Sequence, residues 1–108
     1  MARKATAFTI VYDVNVIGHL DAIELRHHAL IHEAIEAQLT YQPEAETRNR
    51  KPLRRPSPFG ATWEIRFGPE NRFRVFYKVD SDRREVQIIA IGVKEREQLW
   101  VGGKEVTT

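Results

Sequence analysis

The sequence predicts an α+β fold in which two N-terminal helices pack on one face of a mostly antiparallel sheet. Three observations carry this. Residues 63–79 alternate apolar and polar on either side of Gly68-Pro69-Glu70-Asn71, the period of a half-buried β-hairpin. Leu30, Ile31, Ala34, Ile35 and Leu39 recur at helical spacing and make one apolar stripe. Val86-Gln87-Ile88-Ile89-Ala90-Ile91 is apolar at nearly every position, as in a central strand buried on both faces. A chain of 108 residues without internal repeats suits a single domain spanning 1–108.

Taken in order, Ala7–Tyr12 is β-branched and aromatic and reads as a strand. Asp13 or Asn15 can cap the helix that follows, in which Val16, Ile17, Leu20 and Ile23 hold helical spacing and Gly18 is the weak point. The pattern breaks near Asp21, and a longer helix runs from about Glu24 to Thr40. All the histidines fall here: His19, His27, His28 and His32. His28 and His32 could share a helix face, where a metal site is conceivable and a solvated helix is the preferred reading. His32-Glu33-Ala34-Ile35-Glu36 ends in Glu36 where a zinc-protease helix needs its second histidine, so no metal is expected.

Residues 43–60 hold Pro43, Pro52, Pro56 and Pro58, which prevents a helix or a central strand. This irregular segment contains five basic residues between 48 and 55 and reads as a phosphate-contacting loop; the alternative is a solvated linker. In the hairpin, Trp63, Ile65 and Phe67 share one face with Phe73, Val75, Tyr77 and Val79. The other face carries Glu64, Arg66, Arg74, Phe76 and Lys78. Pro69 suits the first central position of the connecting turn. Asp80-Ser81-Asp82 turns the chain into the central strand. Leu99-Trp100-Val101 reads as a short last strand ended by Gly102-Gly103.

The absence of cysteine excludes a disulfide framework, a thiolate nucleophile and a sulfur-ligated zinc site. Met1-Ala2-Arg3-Lys4 is basic, but no unbroken apolar run follows, so neither a signal peptide nor a membrane span is expected. The net charge of +2 hides an uneven distribution. Residues 48–78 hold nine Lys and Arg against Glu64 and Glu70, a net of +7, whereas residues 1–47 carry −4 and residues 79–108 carry −1. Charge gathered in one segment presents a local field to a polyanion. Arg66, Arg74 and Lys78 around the ring of Phe76 suit a nucleic acid, with cations for phosphates and the ring for bases. The alternative is a solvated outer face.

The order of these elements, with Trp63-Glu64-Ile65-Arg66, then Arg72-Phe73-Arg74-Val75-Phe76-Tyr77, then Gly92-Val93-Lys94-Glu95-Arg96, resembles the RelE/ParE toxin superfamily of type II toxin–antitoxin systems. The resemblance spans nearly the whole chain. Thr47-Arg48-Asn49-Arg50-Lys51-Pro52-Leu53 is similar to a loop of one RelE-like branch. The resemblance implies a compact α+β, microbial-ribonuclease-like fold and a cytoplasmic toxin held inactive by a cognate antitoxin. RelE-type members cleave messenger RNA on the ribosome without a metal or other cofactor. ParE-type members instead inhibit DNA gyrase.

Metal-free RNA cleavage needs a base for the 2′-hydroxyl, cations for the phosphate and an acid for the leaving 5′-oxygen. The resemblance places Arg66 at a basic position of the first hairpin strand, Arg74 at the phosphate-binding arginine and Lys94 where a late arginine is common. Glu64 stands where a lysine is expected, and Trp100 where a tyrosine acid is expected. An indole supplies no acidic proton. Glu64 then either replaces the base or forms a cross-strand ion pair with Arg74 or Lys78. The expected catalytic set is Glu64, Arg66, Arg74 and Lys94. The expected RNA contacts are Arg48, Arg50, Lys51, Arg54, Phe76, Lys78 and Trp100. The favoured reading is a RelE-like ribonuclease; the rivals are a ParE-like gyrase inhibitor and a degenerate member that binds RNA or antitoxin without cutting.

Overall fold

The computed structural model describes residues 6–55, 57 and 59–107; the basic start Met1-Ala2-Arg3-Lys4, together with Pro56 and Pro58, lies outside them. The architecture is α+β, as expected. The elements are β1 (Thr9–Tyr12), α1 (Asn15–Asp21), α2 (His28–Leu39), β2 (Arg50–Pro52), β3 (Trp63–Phe67), β4 (Phe73–Asp80), β5 (Glu85–Glu95), β6 (Gln98–Val101) and β7 (Lys104–Val106). They form one seven-stranded sheet in the order β2-β3-β4-β5-β6-β7. β1 joins the first half of β5 in parallel, Thr9 beside Glu85 through Tyr12 beside Ile88. The apolar run of β5 is thereby central, with β4 along one edge and β1 and β6 sharing the other.

Period-two alternation assigns the faces. Ile65, Phe73, Val75 and Tyr77 turn toward the helices and meet Val16, Ile31, Ile35 and Leu39 in the main core. Tyr77 is fully buried, and its hydroxyl donates to the Pro43 carbonyl at 2.6 Å, which satisfies the phenol and anchors the start of the proline-rich segment. Leu30, expected in the helical stripe, is 40% exposed. The rotation that seats Ile31 and Ile35 turns its neighbour outward.

Other expectations are corrected by hydrogen bonding. The second helix opens with a single 3-10 turn, Leu25–His27, before α2. His28 is not on a solvated face. Its Nε2 lies 2.8 Å from the carbonyl oxygens of both Leu20 and Ile23, so its N–H ties α2 to the end of α1. The proline-rich segment carries a short edge strand, β2, paired with β3, where Pro52 costs no central ladder bond. Gly102-Gly103 does not end the sheet. With φ of 61° and 80° these two residues make the reversal into β7, which pairs with β6.

The face expected to be an open cationic surface is partly roofed. Leu53, Phe59 and Ala61 fold over Phe76, Ala90 and Val101 in a second apolar cluster. The Ser57 hydroxyl oxygen accepts the Phe59 N–H at 3.3 Å and the Ala61 N–H at 2.9 Å, which bends the segment into place. Phe76 is therefore only 3% exposed, with the Phe59 ring 5.5 Å away, centre to centre.

Candidate nucleic-acid interface

Beside this roof the sheet leaves a cleft of about 660 Å³. Its floor is set by register. Arg66 on β3 stands directly opposite Arg74 on β4, and Arg74 opposite Gly92 on β5. A Cβ at Gly92 would come within 2.8 Å of the Trp100 carbonyl oxygen and 2.9 Å of Val101 Cγ2. Glycine there lets β6 close against the floor beside Arg74. Lys94, opposite Leu99, and Arg54 and Arg55 of the loop complete the cationic lining. Phe59, Leu99 and Val106 supply an apolar wall.

Glu64 lies between the two arginines. Its Oε1 accepts from Arg66 Nε at 2.6 Å and lies 3.8 Å from Arg74 Nη1. The Glu64 side chain is 10% exposed and that of Arg74 11%, while Arg66 is 45% exposed. Arg74 is further fixed by donation from its Nε to the Asn71 carbonyl at 3.0 Å. Burial lowers the Arg74 pKa, the facing Arg66 charge lowers it again, and Glu64 offsets part of this. Arginine stays charged regardless, so the hairpin carries the strain of two opposed cations and relieves it with one carboxylate.

The expected site residues divide. Glu64, Arg66, Arg74, Lys94 and Arg54 line the cleft together, and Phe76 contributes a mostly covered edge. Arg50 does not face it. Arg50 pairs with Ile65, so alternation points it under α2, where it is 7% exposed. Its guanidinium donates to the carbonyls of Gln38 in the last turn of α2 and of Gln42 and Ala45 just beyond it, tying the helix end to the segment that follows. Trp100 is also on the helix side. Arg96 and Glu97 adopt φ of 51° and 67°, and this tight turn sets Trp100 opposite Val93. Its indole lines a groove with His19, Ala22 and Ile23, and Leu99 takes the cleft position. Lys78 lies near the far end of β4, beside Asp80, Ser81 and Asp82. Arg48 and Lys51 are exposed but do not line the cleft, and Lys51 pairs with Glu46 at 3.3 Å.

Arg55, Phe59, Glu97 and Glu105 line the cleft without having been expected there. Arg55 was visible as part of the basic run. Phe59 could be placed only by knowing how the loop folds back. Glu97 arrives through the β5–β6 turn, whereas Glu105 borders the cleft on β7 with its side chain, opposite Trp100, turned to the helix side. Among the described residues no three His, Asp or Glu side chains gather as metal ligands, and no helix is long and apolar enough to cross a membrane.

Fold and site together define an α+β protein with a helical layer on one face of its sheet and a cationic cleft on the other. No protein-family model and no curated protein matches the chain. Among solved structures, it is similar to a chain of the toxin–antitoxin complex RelBE2 from Mycobacterium tuberculosis. The TM-score is 0.67 at 24% identity, over 86% of this chain and 98% of that one. The fold expected from the RelE/ParE resemblance is thus the observed one.

Proposed function

We propose that this chain is the RelE-like toxin of a type II toxin–antitoxin system, acting in the cytoplasm on messenger RNA at the ribosome and held inactive by a cognate antitoxin. The observation that carries the reading is the opposed pair Arg66–Arg74, largely desolvated on the Arg74 side, on the floor of an open cleft. Two like charges placed face to face cost stability, and the single Glu64 carboxylate, 3.8 Å from Arg74 Nη1, leaves this pair with one more positive charge than negative on the cleft floor. The shared fold with a chain of a toxin–antitoxin complex supports the antitoxin as partner.

In the proposed reaction the 2′-oxygen attacks the adjacent phosphorus, a base takes its proton, and the 5′-oxygen leaves with a proton from an acid. The products are a 2′,3′-cyclic phosphate and a 5′-hydroxyl. Arg66 and Arg74 stabilise the charge that builds on the phosphate oxygens. Glu64 and Glu97 are the carboxylate residues of the cleft lining from which a base could come, and Lys94 is an ammonium of the same lining. Primer extension on cellular messages after induction tests the reading: new cuts within codons, lost in an Arg66→Ala/Arg74→Ala variant, are expected. A second reading, RNA binding without cleavage, is favoured by the engagement of Glu64 with Arg66. It predicts growth arrest without new message ends.

A further inference from the structure

We propose that Glu64 is a positioning residue that takes the phosphate position of the cleft, holding Arg66 beside Arg74 until an RNA phosphate displaces it. This rests on the reading of the cleft as an RNA site. The geometry is that of an internal phosphate mimic. One oxygen, Oε1, is shared by both guanidiniums, at 2.6 Å from Arg66 Nε and 3.8 Å from Arg74 Nη1. The second contact is longer than a hydrogen bond, so the carboxylate neutralises Arg74 without saturating its donors. Arg74 is held independently through Asn71 and stays in place when the carboxylate lets go. Arg66 is half-exposed and free to turn toward a ligand.

A carboxylate offers two oxygens in a plane, and a phosphodiester offers two non-bridging oxygens at similar spacing. Both suit a guanidinium fork. The carboxylate therefore keeps Arg66 from turning away from Arg74 before RNA arrives, and it competes with every incoming phosphate. Removing its charge while keeping its size separates these roles. Glutamine retains an acceptor oxygen for Arg66 but gives up the competing charge.

The test is binding of a short fluorescein-labelled 2′-O-methyl oligoribonucleotide, which cannot be cleaved, followed by anisotropy over a range of salt. Glu64→Gln is expected to bind roughly fivefold to tenfold tighter than wild type, with a log–log salt slope steeper by about 0.7, because the cleft meets the RNA with one more net positive charge. Glu64→Asp, which keeps the competing charge on a stem one methylene shorter, is expected to gain less affinity than Glu64→Gln. If Glu64→Gln binds no tighter and its slope is unchanged, while Arg66→Ala/Arg74→Ala binds weakly, the displacement idea is overturned and the cleft reading stands. If the double variant binds as wild type does, the cleft reading itself is wrong. Should Glu64→Gln fail to fold, the Arg66 Nε–H resonance of the wild-type protein decides. It is expected to shift on saturation with the same oligonucleotide, and a resonance that stays put overturns the proposal.

Discussion

Arg66 and Arg74 face each other across the β3–β4 hairpin, with Glu64 Oε1 as the nearest anion to both. Directly opposed like charges weaken a hairpin, so Arg66 serves ligand binding more than stability. Arg66→Ala should cost less than about 1 kcal/mol in urea denaturation, because Arg66 is half-exposed and Arg74 remains 3.8 Å from the Glu64 carboxylate. The same variant should lose RNA affinity by about tenfold or more. A large stability loss with unchanged affinity would reverse the assignment.

Arg50 makes the opposite prediction. Its guanidinium holds three carbonyls at the end of α2 and is buried. Arg50→Met should cost about 3 kcal/mol, since it removes three hydrogen bonds made by a buried charged side chain to part-buried carbonyls. Arg50→Lys should recover little, because an ammonium cannot fork to three oxygens. The folded fraction should bind RNA as wild type does, measured by anisotropy under conditions where both are folded.

His19 links stability to pH. Its Nδ1 accepts the Ile91 N–H at 3.3 Å, which needs that nitrogen unprotonated. Burial holds the ring below the usual histidine range, against a smaller opposing pull from Asp13. The unfolded chain therefore takes up the proton first as pH falls. The contribution of His19 is fully present above about pH 6.5 and is lost as pH drops from there toward the folded value. Thermal melts between neutral and mildly acid pH should show this fall, and His19→Gln should flatten it.

Gly92 couples fold and cleft. Gly92→Ala drives a methyl against the Trp100 carbonyl and the Val101 side chain, so β6 must shift away from β5. A destabilisation of about 1–3 kcal/mol is expected, with a parallel loss of RNA affinity because Leu99 on β6 moves away from Lys94 on β5. Melting temperature and anisotropy on the same preparation check both parts.

How much of this was legible in the sequence follows from which signals are local. The hairpin was readable because its alternation runs unbroken through Trp63–Phe67 and Phe73–Val79. β7 was not, because Lys104-Glu105-Val106 carries no apolar alternation and is held only by its register with β6. Arg50 looked like its basic neighbours; only pairing with Ile65 turns it toward the helix. The face of Trp100 was fixed by a two-residue turn at Arg96-Glu97, in a conformation those residue types rarely adopt. Phe76 was placed on the correct face, but its covering by Phe59 depends on a loop whose fold no local pattern encodes.

The central claim is that the cleft cations hold single-stranded RNA by its phosphates, and salt dependence measures that directly. The cleft presents Arg54, Arg55, Arg66, Arg74 and Lys94. If all engage phosphates, the log of the affinity of the wild-type protein for a non-cleavable oligoribonucleotide should fall against log salt with a slope between about −3 and −4. The Arg66→Ala/Arg74→Ala variant should lose about 1.4 from that slope along with most of its affinity at low salt. A flat salt dependence in the wild type, or a double variant indistinguishable from it, would contradict the account.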